Sequence, residues 1–328
     1  MANSDPTIFE LGESNALAEA IKHFKPGSHT IVPSGDDAAV IRSNGRYVVT
    51  TDTMVQDRDF KLEFSSAYDL GFKAVGTNLA DVVAMGAQPT ALVVAMVVPS
   101  DFNASWLSDF ARGLQAGIDE LSPGCEVVGG DLASGEQLVI AVTAHGELSQ
   151  EPVLRSGAKV SDQVVVAGTL GRAACGLSLL LSPDPTLAAA YPEWVAVQLR
   201  PTPPLQIGLE LSKLATSMLD LSDGLSTDAA RIAKASSVTL RLNSSSLLGY
   251  EAVLELAAQS MTARGFTAHE RDWVLHGGED HSFLATVPSG TKLPLGCKVI
   301  GEVIERTEHA VMLDDQPLIA RGWDSISS

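Results

Sequence analysis

Short acidic motifs recur along this chain, each where an apolar run meets glycine or a helix. They are Gly35-Asp36-Asp37, Thr51-Asp52-Thr53, Asn78-Leu79-Ala80-Asp81, Gly129-Gly130-Asp131, Asp220-Leu221-Ser222-Asp223-Gly224 and Gly277-Gly278-Glu279-Asp280. Carboxylates at the ends of buried elements are costly unless a cation gathers them, and hard divalent ions prefer oxygen ligands. Segments of this kind, if they converge, form an acidic cage suited to a metal-bridged polyphosphate. The chemistry they imply is phosphoryl transfer from ATP.

Each motif also has a plainer reading. Asp36 and Asp37 are neighbours whose side chains diverge, so one suits a metal while the other caps or pairs; an ordinary acidic turn uses the same residues. Asp52, between Thr50-Thr51 and Thr53, places hydroxyl and carbonyl oxygens beside a carboxylate at an expected strand end, as a metal site or an Asx-type cap. Asp81 lies in an apolar helical stretch, Leu79 to Met85, where a charge needs a partner; with few Lys or Arg near in sequence, a helix-borne metal ligand is the reading preferred over a buried salt bridge. In Gly129-Gly130-Asp131 the glycines let backbone approach a phosphate, with an acid beside them for its metal. Asp220 and Asp223 bracket Ser222 at an expected helix start, where amides attract anions and Ser222 or Asp223 can also cap. Arg155 is a source of positive charge for phosphate, or a surface arginine in a linker.

Several familiar devices are missing from the sequence. It has no GxxxxGK[ST], no protein-kinase HRD or DFG set, no GxGxxG after a strand, no GxSxG elbow and no HExxH. Phosphate must then be held through metals and backbone amides, and no catalytic His or Cys stands out as a general base.

The elements that position these residues alternate between strand and helix. Tyr47 to Thr51 reads as a strand ending at Asp52. Ser65 to Met85 reads as a helix, with Ser66 and Asp69 at capping-box spacing, Gly86 at its end, and Asn78 and Asp81 on one face. Thr90 to Val98 is an apolar strand and Asn103 caps a helix to about Leu121. A strand from Glu126 to Val128 feeds the glycine pair, and Leu138 to Thr143 is another. A polar connector at Ser149-Gln150-Glu151-Pro152 marks a boundary between domains 1–148 and 149–328. Beyond it come a strand at Gln163 to Ala167 with a glycine-flanked helix, the link PTPP at Pro201 to Pro204, a helix from Leu205 to Ala215, and strands at 217–219, 238–242, 282–286 and 298–303. The fold class is mixed α/β with two domains.

Composition agrees. The 328 residues are 45% apolar but only 5% aromatic, so the core is built from Ala, Val, Leu and Ile. A net charge of −18 opposes nucleic-acid binding, which needs surplus Lys and Arg, and suits an anionic substrate only through cations. Three scattered cysteines (Cys125, Cys175, Cys297) give neither a disulfide framework nor a zinc site. Met1 to Glu10 lacks the segments of a signal peptide, and the longest apolar run is too short for a bilayer. The expectation is a soluble cytoplasmic protein without membrane attachment.

In order and spacing, GDDAAV (Gly35 to Val40), TTDT (Thr50 to Thr53), NLADVVAMGAQP (Asn78 to Pro89), VGGD (Val128 to Asp131), LRSGAK (Leu154 to Lys159), DLSDGL (Asp220 to Leu225) and GGED (Gly277 to Asp280) resemble the thiamine-monophosphate kinase family. The likeness spans nearly the whole chain. It places the chain in the superfamily of aminoimidazole ribonucleotide synthetase, selenophosphate synthetase and a hydrogenase maturation factor. It implies an aminoimidazole ribonucleotide synthetase-like fold whose first domain contributes strands to a β-barrel shared in a homodimer. Carried over residue by residue, Asp37, Thr50, Thr51, Asp52, Asp81, Asp131, Asp220 and Asp223 would ligate several Mg²⁺ ions. Gly130, Asp131, Arg155 and Ser222 would contact ATP. Glu279 and Trp323 would meet the thiamine end of the substrate. Asp59, followed by Phe60, stands where family members often carry His-Phe, and an acid there would face a cationic thiazolium. The implied reaction is in-line attack by the phosphate of thiamine monophosphate on the γ-phosphorus of ATP. Selenophosphate synthetase would need a reactive Cys or Sec near the N-terminus, whereas the first cysteine is Cys125. Aminoimidazole ribonucleotide synthetase and a non-catalytic nucleotide or metal sensor stand as the other readings.

Overall fold

The structure, a computed structural model, describes residues 5–33 and 38–322, so Asp37 and Trp323 lie outside the described residues. The chain divides into two compact units, Met1–Val82 with Ala87–Ser149, and Val83–Gly86 with Gln150–Ser328.

The first unit contains α1 (Ile8–Leu11), α2 (Glu13–Ile21), β1 (Thr30–Val32), β2 (Val40–Ile41), β3 (Arg46–Val55), most of α3 (Ala67–Ala84), β4 (Gln88–Val98), α4 (Ala104–Leu121), β5 (Glu126–Ser134) and β6 (Val139–Leu148). Its main sheet has the order β3-β6-β4-β5, antiparallel except for the parallel pair β4/β5. Strict alternation sets the faces of β6: Ile140, Val142, Ala144, Gly146 and Leu148 are buried, while the residues between them are half-exposed. The expected capping box on α3 is present. Asp69 Oδ2 accepts from Ser66 N at 3.1 Å, and Ser66 Oγ accepts from Asp69 N at 3.2 Å. On α4, Leu107, Phe110, Ala111, Leu114 and Ile118 form one buried stripe at helical spacing.

Two strands run further than the sequence predicts. β3 continues through Asp52 to Val55, because β6 pairs with it residue for residue from Arg46↔Leu148 to Val55↔Val139. β5 continues through Gly129-Gly130-Asp131 to Ser134, paired with β4 as far as Val98↔Ser134. Gly130 is needed there for packing, since a Cβ would stand 2.0 Å from the Val94 carbonyl oxygen. The glycine pair is therefore strand, not loop.

The second unit contains β7 (Gln163–Ala167), α5 (Arg172–Leu181), α6 (Pro185–Ala190), α7 (Pro192–Leu199), α8 (Leu205–Ser212), β8 (Ser217–Asp220), α9 (Leu225–Ser236), β9 (Thr239–Leu242), α10 (Ser244–Ala252), α11 (Glu255–Thr262), α12 (Glu270–His276), β10 (Phe283–Val287), β11 (Cys297–Ile304), β12 (Val311–Leu313) and β13 (Gln316–Pro317). Its sheet has the order β13-β12-β9-β11-β7-β10-β8. The central strands β7 and β10 read as continuous apolar runs because both faces are covered, and Val164, Val166, Leu284, Leu179, Ile232 and Leu240 share one core. One expectation changes: α9 begins after Gly224, with neither Ser222 nor Asp223 acting as a side-chain cap.

Candidate functional site

In the first unit the acidic motifs lie on the sheet and on α3. Thr50 Oγ1 donates to Asp81 Oδ2 at 3.2 Å, supplying the partner that a carboxylate in an apolar helix requires. Asp52 lies two residues on, so pleat alternation gives it the same face as Thr50, and its Oδ1 accepts from Thr53 N at 2.8 Å. Thr51 turns to the other face, where Thr143 Oγ1 donates to its hydroxyl at 3.3 Å. Asp131 is exposed and pairs with Ala95, which pairs in turn with Ala141 and so with Thr53. Asp52 and Asp131 thus occupy opposite edge strands and opposite faces, about 14 Å apart across a flat sheet of this width. The sheet does not bring these two carboxylates side by side.

The strand carrying Asp131 borders a cavity of about 400 Å³ that the sequence did not reveal. Its walls are apolar, from Leu17 on α2, Val94 and Met96 on β4, and Phe110 and Leu114 on α4; Gly129 and Gly130 complete it, and Asp131 is the one charged residue in its described lining. Only the assembled sheet and helices reveal it, since each wall alone reads as ordinary core. An apolar group fits such a space.

In the second unit Asp220 closes β8, is buried, and places Oδ2 3.2 Å from His281 Nδ1. Ser222 and Asp223 follow, half-buried. Asp228, fully buried in the first turn of α9, accepts from Asp223 N at 3.0 Å and from Arg231 Nη1 at 2.6 Å, while Arg231 Nη2 donates to Asp223 Oδ2. Burial, then the nearby Asp220 charge, push the Asp228 carboxyl up to about 7, and Arg231 only partly opposes them. Asp220, Asp223 and Asp228 lie near one helix start, and Arg231 bonds to the last two of them. Sequence reasoning passed over Asp228, Arg231 and His281. The spacing of Asp228 and Arg231, one helical turn apart on α9, was the available signal.

The glycine-acid loop at 277–280 is stitched across this segment. Glu279 N donates to Ser222 O at 2.9 Å and His281 N to Leu221 O at 3.1 Å. Glu279 and His281 both adopt positive φ, 66° and 48°. The role of Asp280 is architectural. Buried, it accepts from Thr169 Oγ1 at 2.9 Å, Gly171 N at 2.7 Å and Arg172 N at 3.2 Å, capping α5. Burial pushes its carboxyl up, opposed by those hydrogen bonds. Arg155 is exposed on the segment before β7, and its carbonyl accepts from Ser236 Oγ at 2.9 Å. Asp59 is half-buried and closes a turn, its Oδ2 accepting from Val55 N at 2.7 Å.

A family model described as "AIR synthase related protein, N-terminal domain" matches residues 35–148. A thiamine-monophosphate kinase of Mycobacterium tuberculosis is 35% identical, over 99% of this chain and 95% of that protein. Among solved structures, the thiamine-monophosphate kinase of Stenotrophomonas maltophilia K279a is similar at a TM-score of 0.77 and 30% identity, covering 93% of this chain and 96% of that one. A structure of AaThiL complexed with AMPPCP and TMP is similar at a TM-score of 0.73 and 29% identity, covering 96% of this chain and 97% of that one. Identity at this level over almost the whole length of both proteins establishes descent, and the chain belongs to the thiamine-monophosphate kinase family.

Proposed function

We propose that this chain transfers the γ-phosphoryl group of ATP to the phosphate of thiamine monophosphate, releasing ADP and thiamine diphosphate in thiamine diphosphate biosynthesis. The observation that carries the reading is the 35% identity along nearly its whole length to a thiamine-monophosphate kinase. The likeness to a structure holding AMPPCP, an analogue of ATP, together with TMP supports the substrate pair.

The accepting phosphate is largely ionised near neutral pH, its second pKa being about 6, so no general base is required. The difficulty is repulsion between two anions, and the chain answers it with carboxylates, which implies Mg²⁺. The donor set fits: every assigned group is an oxygen, the suitable ligand for this ion. Among the described residues no three His, Cys, Asp or Glu side chains are gathered as a metal cluster. Mg²⁺ is usually held by one or two carboxylates together with substrate phosphates, so the arrangement suits it. Bound there, Mg²⁺ would neutralise phosphate charge and align the two substrates.

In the first unit we assign Thr50, Thr51, Asp52, Asp81 and Asp131, with Asp37, to metal, and Gly130 and Asp131 to the nucleotide. The apolar cavity beside Asp131 would take the base, keeping water from it. In the second unit we assign Asp220 and Asp223 to metal, Arg155 and Ser222 to ATP phosphate, and Glu279, Asp59's counterpart in charge, to the thiamine end with Trp323. Asp59, in the first unit, would reach substrate only with its turn intact.

A homodimer is part of this reading. β3 ends the sheet with an exposed edge strand on which Val49 and Tyr47 lie open, and a second copy would cover it. No helix among the described residues is long and apolar enough to cross a membrane, and the cytoplasm is the proposed location. The test is direct. Purified protein with Mg²⁺, ATP and thiamine monophosphate should form ADP and thiamine diphosphate in equal amounts, and chelation of the metal should stop it. ADP without thiamine diphosphate, or no turnover, overturns the reading.

A further inference from the structure

Gln198 is a buried polar side chain to which the reaction above gives no role. It is 6% exposed, and a buried amide must bond to something. It lies four residues after Trp194 on α7, so both side chains leave the same face of the helix. That face is pressed onto α5 at Gly176, where a Cβ would stand 2.1 Å from Trp194 O and 3.0 Å from Gln198 Cβ. Only glycine permits this crossing, and the crossing fixes where Gln198 starts.

The Gln198 amide Nε2 donates to Glu279 Oε2. Glu279 adopts φ 66°, a conformation that a non-glycine residue keeps only where its surroundings impose it. Here the surroundings do: its N–H is bound to Ser222 O, and Asp280 after it caps α5. Arg172 ties the parts together, its N–H bound to Asp280 and its guanidinium 5.3 Å from the centre of the Trp194 ring. The backbone of Glu279 is thus held from one side and its carboxylate from the other.

We propose that Gln198 is a positioning residue for substrate selection, its amide aiming the Glu279 carboxylate at the amino-bearing ring of thiamine monophosphate. The inference rests on the reading that Glu279 meets the thiamine end of the substrate, and narrows that contact to the ring bearing the amino group, a donor that suits a carboxylate. It assigns recognition of the acceptor to α7, far in sequence from the acidic motifs.

Gln198→Leu removes the donor while keeping a side chain of similar size. In steady-state assays KM for thiamine monophosphate should rise about tenfold, the worth of a hydrogen bond to a charged group, while kcat and KM for ATP change by less than about twofold. In a Glu279→Ala background the same substitution should add almost nothing, because the group it aims is gone. A merely structural Gln198 would lower thermal stability and leave KM for thiamine monophosphate alone, or raise both KM values together. Either result, or additive losses in the double variant, overturns the inference. Should Gln198→Leu not fold, Gln198→Glu keeps the shape and sets two acids face to face; it should raise the same KM, and an unchanged KM refutes the proposal. An inactive wild-type protein would defeat the functional reading and this inference with it, whereas an active one insensitive at Gln198 defeats this inference alone.

Discussion

The acids of the glycine- and threonine-flanked motifs differ between the two units, although Glu126 in the first unit is also buried and accepts from Gly27 N. In the first, Asp52 and Asp131 are exposed on edge strands, and the fold does not depend on burying them. In the second, Asp220, Asp228 and Asp280 are buried, each engaged by other parts of the chain: His281, Arg231 with the Asp223 amide, and the start of α5. The same glycine-acid spelling therefore serves two ends. Gly129-Gly130-Asp131 exposes its acid on a strand that borders a cavity, whereas in Gly277-Gly278-Glu279-Asp280 the last acid caps α5 and the preceding one accepts from Gln198 Nε2. An exposed carboxylate is replaceable at little cost to folding, so its loss reports on chemistry. A buried one mixes both effects.

The sharpest separation should come at Asp131. On the proposed role of Asp131 as a metal ligand, Asp131→Asn should lower kcat/KM by roughly 10²–10³-fold, with a melting temperature near that of the wild type. Near-normal turnover at saturating Mg²⁺ would remove the difference drawn between the units. Its neighbours test the packing account. Gly130→Ala should destabilise by about 3 kcal/mol, because a methyl group would collide with backbone that cannot yield. Gly129→Ala meets nothing within 4 Å and should be close to neutral. Equal denaturant midpoints for the two variants would refute the strand-packing role.

At Asp280 the expectation reverses. Asp280→Ala leaves the amides of Gly171 and Arg172 unsatisfied in an enclosed site and should destabilise by about 2 kcal/mol. For a domain of this size that is a fall in melting temperature of about 5 °C. KM for ATP should hold, and a melting curve matching the wild type would show that this acid is not architectural.

Local rules carried much of the fold. β7 falls on the predicted Gln163–Ala167, and Asp69 bonds back to Ser66. Strand ends at Asp52 and Val128 were misplaced because Thr, Asp and Gly read as punctuation, while register with β6 and β4 overrides that local preference. Helices α6 and α7 went unread although Pro185 and Pro192 stand at their first positions, Pro185 behind an Asp184 cap. At the site, the acids were visible as motifs. Their partners were not: Gln198 to Glu279 and His281 to Asp220 join residues 81 and 61 positions apart, and no periodicity marks such pairs.

The smallest effect belongs to an acid that does no chemistry at all. Asp69 bears the same carboxylate as Asp131, in the same unit, yet its oxygen accepts from Ser66 N and from Ser66 Oγ at 2.6 Å at the start of α3. Ser66→Ala removes the reciprocal acceptor for Asp69 N and should destabilise by about 1 kcal/mol, the usual worth of a cap. α3 carries Asp81 more than three turns further on, beyond the reach of fraying at the cap. Turnover at saturating Mg²⁺ should therefore stay at the wild-type rate while the denaturant midpoint moves. A loss of turnover larger than the loss of stability would mean that Asp81 depends on the helix start, and that the exposed acids of this unit are less independent of the fold than their accessibility suggests.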